Sequence, residues 1–286
     1  MEKRTYNVAD HIFSISGDTL CAEISKIEGF RPFEVHGCME DFNFQIGNSL
    51  PDNFSIQYSF SYEDILGEFG TAGNGFFLRQ TPAGEEPLLM WTVWGENRVY
   101  FNGNISLRLL RFAVWIGFGI MTAPKGTVAI HSSCIVSEGR AVIFLGESGT
   151  GKSTHTRLWK ENIPGAVLLN DDSPIVRSID GTVWAYGSPW SGKTHCYKAE
   201  RYPLAACVRL SQSPYNKMHK LNVIKGYVAL HPSCPPEFAY DERIYSHISS
   251  TLGDMLKSVK CYWLECLPDS AAAQLSHKMI FNSDEQ

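Results

Sequence analysis

Through the first hundred residues, apolar and polar positions alternate in short runs. The stretches "HIFSIS", "FSIQYSF", "GFFLRQT" and "LLMWTVW" are brief, rich in aromatic or β-branched residues and partly alternating. That pattern predicts strands with one face on a core. "WGENRVYFNGN" predicts a hairpin. The rhythm changes at "ISLRLLRFAVWIGFGIMTA", which predicts a helix stopped by Pro124 and Gly126. Its most apolar part, "FAVWIGFGIM", is about half the length of a membrane span and follows Arg108 and Arg111, so a buried helix is expected. From 127 onward strands and helices alternate as in an α/β layer. "TVAIHSSCIV" and "RAVIFL" read as strands joined by the turn "SEGR", followed by a glycine-rich loop and a short helix. "PGAVLLNDD", "GTVWAYG", "AACVRLSQ" and "CYWLECLP" read as further strands, and 239–259 as a helix. The expected organisation is a β-rich N-terminal domain over 1–104, a connecting helix over 105–125 and an α/β domain over 126–286.

Composition narrows the function classes. A chain of 286 residues, 44% hydrophobic and 19% charged, is ordinary for a soluble globular protein. The net charge is −5 and no Lys/Arg run stands out, which argues against a nucleic-acid partner. The start, "MEKRTYNVADH", lacks the apolar core of a signal peptide, so a cytoplasmic protein with no membrane partner is expected. The eight cysteines form no C-x-x-C pair and read as thiols of a reducing compartment. His231 and Cys234 lie in the proline-rich "HPSCPP" with no second pair beside them, which argues against zinc. Asp41, Glu63 and Glu68 read as surface charges.

Two stretches fit the phosphate-loop (Walker A) pattern G-x-x-x-x-G-K-[ST]: "GESGTGKS" at 146–153 and "GSPWSGKT" at 187–194. The first has the context the motif needs, a buried strand before it and a helix after it. Gly146, Gly149 and Gly151 allow the backbone to curl with its N–H groups inward, a cradle for a triphosphate. Glu147, Ser148 and Thr150 complete the loop. The N-terminus of the following helix adds positive potential. Lys152 can reach the β- and γ-phosphates, and Ser153, with Thr154 beside it, can offer a hydroxyl to Mg²⁺. Glu147 is a candidate for contact with the metal or with a polar acceptor.

The apolar strand "AVLLNDDS" runs into Asp171 and Asp172. Two carboxylates there can divide the work, one toward a metal and one accepting a proton from an attacking hydroxyl. Asp-Asp-Ser-Pro is also good turn chemistry. His131 closes "TVAIH" and reaches the site only if the strand register allows it.

The second stretch fails the physical test of the same pattern. Pro189 has no N–H to offer an anion, Trp190 is bulky where the backbone must approach, and "THCYKAERYP" shows no helical stripe. Two readings remain: a substrate-facing or nucleotide-covering loop hinged at Gly187 and Gly192 with Lys193 on the transferring phosphate, or a surface turn with a solvated lysine. "RLSQSPYNKMHKLN" gathers Arg209, Lys217, His219 and Lys220 near a turn, to grip an acidic partner or nucleotide or simply as a solvated loop.

"HSSCIVSEGRAVIFLGESGTGKST" followed by "LLNDDSPIV" resembles the catalytic domain of bacterial HPr kinase/phosphorylase, whose nucleotide core is shared with phosphoenolpyruvate carboxykinase. The resemblance covers roughly 127–200. It implies an α/β P-loop core of that type behind a β-rich N-terminal domain, with ATP and Mg²⁺ as cofactors. It implies roles for His131 as an active-site histidine, Lys152 and Ser153 on phosphate and metal, and Asp171 and Asp172 as the acidic pair. Ser153 and Asp172 are the expected metal ligands, although on the residues alone the two aspartates can exchange roles. The loop ends "GKST", where the family usually carries an acid after the serine, and the family's later glycine-rich signature is not recognisable. The expected activity is therefore transfer of the γ-phosphate to a hydroxyl, a serine of a protein or peptide, rather than to HPr in particular. A carboxykinase-like enzyme and a non-catalytic nucleotide switch are the alternatives, and a homo-oligomer is compatible with the sequence.

Overall fold

The computed structural model describes residues 2–192 and 194–282 of a mixed α/β chain built on two large sheets. The chain divides into two compact units, 1–125 with 236–246, and 126–235 with 247–286. The second unit is therefore interrupted by a short return of the chain to the first.

The first unit holds β1 (Lys3–Val8), β2 (His11–Ser16), α1 (Asp18–Ile24), β3 (Glu34–Val35), β4 (Phe42–Ile46), β5 (Phe54–Tyr62), β6 (Ile65–Ala72), β7 (Gly75–Pro82), β8 (Leu88–Thr92), β9 (Arg98–Gly103) and α2 (Leu107–Thr122). Its strands form one sheet in the order β3-β1-β2-β4-β9-β8-β7-β6-β5. The meander from β5 to β9 is antiparallel throughout. Phe13, Phe42, Phe44, Phe101 and Phe118 stack or meet edge to face in its core. The segment Leu107–Lys125 is long and apolar enough to cross a membrane. Here it is a core element: Leu109, Leu110, Ala113, Val114 and Ile116 of α2 are fully buried. Gly117 permits that fit, because a Cβ there would lie 2.7 Å from the Phe44 ring.

The second unit holds β10 (Thr127–Ala129), β11 (Ser132–Ser137), β12 (Arg140–Leu145), α3 (Lys152–Asn162), β13 (Val167–Asp172), β14 (Ile175–Ile179), β15 (Thr182–Tyr186), β16 (Arg201–Gln212), β17 (Lys217–Lys220), α4 (Val223–Leu230), the part of α5 (Glu242–Ser258) from residue 247 onward, β18 (Lys260–Cys266) and α6 (Ser270–Phe281). Its sheet runs β13-β11-β12-β16-β18-β17, with β15, β14 and β10 continuing from the start of β16. β12, β16 and β18 are parallel, and β13 runs the same way because β11 is antiparallel to both β12 and β13. Four strand C-termini thus share one edge, where β11 begins. In open α/β sheets that edge is where ligands bind.

Side-chain alternation assigns the faces. Val142, Phe144, Ala206, Val208, Tyr262 and Leu264 form one core with Leu158 and Trp159 of α3 and Ala273 and Ile280 of α6. Ser276 of α6 ties α3 down through Trp159 Nε1 at 2.9 Å and His155 Nε2 at 3.0 Å. On the other face, α4, α5 and β18 meet at Gly226, where a Cβ would lie 2.8 Å from Leu256 and 3.3 Å from Cys261.

The predicted strand "TVAIHSSCIV" is two strands. β10 pairs with β14, whereas β11 pairs with β12 and β13. Between them Ile130 N donates to the Pro174 carbonyl and His131 N to the Ser233 carbonyl, which takes both residues out of either ladder. The expected basic cluster also comes apart. Lys217, His219 and Lys220 belong to β17, and β18 lies between that strand and Arg209 on β16.

Candidate functional site

The loop 146–151 leaves the end of β12 and turns into α3. Gly146, Gly149 and Gly151 have φ of 155°, 81° and 108°, a region that glycine tolerates and L side chains rarely adopt. Thr150 N and Oγ1 both donate to the Glu147 carbonyl, at 3.1 and 2.8 Å, closing the curl. No side chain caps α3 at Gly151, so its first amides stay available to a ligand.

Lys152 folds back across this loop. Its Nζ donates to the Gly146 carbonyl at 2.7 Å and to the Glu147 carbonyl at 3.2 Å, and lies 3.1 Å from His131 Nε2. Burial lowers the ammonium's pKa and the Arg209 charge adds to this, against the opposing pull of Asp172 and Asp171.

The two aspartates diverge. Ser153 Oγ donates to Asp171 Oδ1 at 2.9 Å, and Asp171 is only 6% exposed. Asp172 turns outward, its Oδ1 3.3 Å from His131 Nδ1. Because the Lys152 ammonium can only donate, His131 Nε2 accepts and Nδ1 carries the proton toward Asp172. Asp172 has φ 148°, strained for a residue with a Cβ.

His131, Lys152, Ser153, Asp171, Asp172 and Gly192 line one cavity of about 360 Å³, with Ser148, Gly149 and Thr154 on its loop side. A larger cavity of about 550 Å³ adjoins it across Gly149, Gly151 and Thr154, walled by Leu158, Leu210, Leu267 and Pro268 with Gln212 and Ser213.

Lys193 lies outside the described residues. The rest of its loop is no surface turn: Ser188, Trp190 and Ser191 are buried against β13. Gly187 and Gly192, expected as hinges, are points of close backbone approach. A Cβ on Gly187 would lie 2.0 Å from the Lys198 carbonyl, and one on Gly192 would lie 3.1 Å from that of Asp171. No helix follows.

Arg209, expected only as one of a basic group at a turn, and Gln212, which sequence reasoning missed, both reach this loop. Arg209 Nη2 lies 3.6 Å from Glu147 Oε1 and its Nη1 donates to the Ala229 carbonyl at 3.4 Å. Gln212 Nε2 donates to the Gly149 carbonyl at 3.2 Å. Both reach the loop because β16 pairs in parallel with β12, setting Arg209 opposite Leu145.

The donor set suits a hard cation. Two carboxylates and a hydroxyl are oxygen ligands of the kind Mg²⁺ takes when phosphates supply the rest. Among the described residues no group of three or more His, Cys, Asp or Glu forms a self-sufficient metal cage. The residues thus fit a metal shared with a phosphate ligand.

No protein-family model matches the chain, and no curated protein matches it. Among solved structures, the HPr(Ser) kinase/phosphatase from Coxiella burnetii matches over 55% of this chain and 90% of that one, with 10% identity and a TM-score of 0.32. That is a distant likeness, and the functional reading rests on the geometry.

Proposed function

We propose that the second unit is an ATP- and Mg²⁺-dependent kinase that transfers the γ-phosphate to a hydroxyl, a serine of a protein or peptide. The observation that carries this reading is the Ser153–Asp171 hydrogen bond beside the Lys152–His131–Asp172 chain, in one cavity at a glycine loop. It supports a division of labour in which Asp171 joins Ser153 at the metal and Asp172 serves the acceptor. That exchanges the roles expected from the motif, where Asp172 was the metal ligand. Mg²⁺ held there would neutralise charge on the β- and γ-phosphate oxygens.

The chain's own residues would do the rest. The loop amides and Lys152 hold the phosphates. Asp172 takes the proton of the acceptor hydroxyl as its oxygen bonds to the γ-phosphorus and the bond to the β-bridging oxygen breaks, releasing ADP. His131 keeps Asp172 oriented. Arg209, exchanging Glu147 for phosphate, would add positive charge where it develops. The adjoining apolar cavity has the size and walls to receive the nucleoside.

Incubation of the full chain with γ-labelled ATP, Mg²⁺ and cell extract tests the reading. It is supported by label on a serine of one protein or peptide, identified by mass spectrometry. It fails if ATP binds without transfer, or if transfer occurs only as oxaloacetate-dependent phosphoenolpyruvate formation.

A further inference from the structure

The stretch 187–192 belongs to a match to the phosphate-loop pattern and carries little of what an anion needs, and its residues 187–191 are nevertheless buried. We infer that it is a brace that positions the acidic pair, with Asn170 and Ser188 as its positioning residues. The kinetic arm of this inference rests on the phosphotransfer reading; the structural arm does not.

Asn170 and Ser173 flank the two aspartates, and both are tied to Ser188. Asn170 Nδ2 reaches the Ser188 carbonyl at 3.3 Å, Ser188 Oγ at 3.2 Å and the Trp190 carbonyl at 3.2 Å. Asn170 Oδ1 accepts from Ser173 N at 2.9 Å. Ser188 Oγ donates to the Ser173 carbonyl at 2.6 Å and accepts from Trp190 N at 3.2 Å. Both Asn170 and Ser188 are fully buried, so each lost bond would strand a polar group away from water. Gly192 N then donates to the Asp171 carbonyl at 2.6 Å, and Ser191 bridges to Asp172.

This network surrounds a backbone conformation that needs support. A non-glycine residue at the φ of Asp172 is retained only where its surroundings over-determine it. The glycines of the pattern then have a packing reason. At Gly187 a Cβ would overlap the Lys198 carbonyl, and at Gly192 one would crowd that of Asp171. Pro189 is tolerated because the contacts to β13 use its neighbours. The brace also brings Gly192 into the lining of the cavity that holds Lys152 and Asp172.

The test uses the full chain with Ser188→Ala, the conservative Ser188→Thr, and Gly192→Ala. The last adds a Cβ 3.1 Å from the Asp171 carbonyl and 3.3 Å from Asp172 Cβ, at a position whose φ is not left-handed, and it serves if Ser188→Ala does not fold. Two readouts are taken: the ring tautomer of His131 by ¹⁵N NMR, and kcat against KM for ATP. Ser188→Ala and Gly192→Ala are expected to lose the Nδ1–H tautomer that Asp172 selects. They should lower kcat by about 10-fold to 100-fold, with KM for ATP within about twofold. Ser188→Thr, which keeps the hydroxyl, is expected to retain both. Wild-type tautomer and kcat in folded Ser188→Ala and Gly192→Ala overturn the brace. Loss of the tautomer in the variants of a chain that transfers no phosphate upholds the brace and removes the kinase reading instead.

Discussion

The Ser153 hydroxyl donates to the buried Asp171 carboxylate at 2.9 Å, while the adjacent Asp172 turns away to His131. If these contacts reflect metal and acceptor sides, the two carboxylates fail differently when neutralised. Asp171→Asn is expected to raise the Mg²⁺ concentration for half-maximal activity about tenfold or more. Asp172→Asn is expected to leave that requirement nearly unchanged and lower kcat by about 10² to 10⁴. A Mg²⁺ titration of both variants decides; the reverse pattern would return the metal to Asp172.

Arg209 reaches the glycine loop through Glu147, whose side chain is 87% exposed. A partner that weakly held leaves the guanidinium free to exchange it for a phosphate oxygen. Arg209→Ala is expected to lower kcat by on the order of 10³, the scale of an arginine that stabilises phosphoryl transfer. Arg209→Lys should recover only part of this, because the planar fork is lost. Glu147→Ala, tested in the same assay, is expected to stay within about threefold of the parent chain, since exposed ion pairs contribute little.

The relation between these residues was only partly legible in the sequence. A strand, a glycine loop and a helix in succession are local features, and the pattern at 146–153 carries them all. Arg209 depends on β16 pairing in parallel with β12, a non-local register that no run of letters specifies. The sequence grouped it with Lys217, His219 and Lys220, which the fold sets two strands away. His131 was misread as a strand end because alternation continues through Ile130, although the backbone there bonds to Pro174 and Ser233. The sequence left the tract 187–192 as either a substrate-facing loop or a surface turn. Its burial follows from hydrogen bonds made inside the fold, between Ser188, Asn170 and Ser173.

The φ of 148° at Asp172 has a cost that can be measured apart from activity. Glycine adopts that conformation readily, so Asp172→Gly is expected to relieve about 1 kcal/mol of strain, in part offset by glycine's greater freedom when unfolded. Thermal denaturation should show the transition of the second unit unchanged or raised by about 2–4 °C, with turnover abolished. A clear fall in that transition would mean that the carboxylate's contact with His131 stabilises more than the backbone strain costs.

Two buried groups give the units opposite responses to acid. In the second unit His155 is 2% exposed, and burial pushes its pKa down from 6.5 to about 4. Between those values the unfolded state binds a proton that the native state does not. The His155 contribution is therefore complete above pH 6.5 and is lost as pH falls toward 4, by about 3 kcal/mol at most. In the first unit Glu237 is 4% exposed, its Oε2 has no hydrogen-bond partner, and burial raises its pKa from 4.5 to about 7. Here the native state binds the extra proton, so stability is greatest below 4.5 and is lost as pH rises through 7. Amide hydrogen exchange between pH 7.5 and 5, corrected for intrinsic rates, is expected to show protection falling across β12 and α3 and rising around 236–240. Glu237→Gln should remove the second trend and stabilise the first unit above pH 7. Parallel responses in both units, or no effect of Glu237→Gln, would show that other groups dominate the acid response.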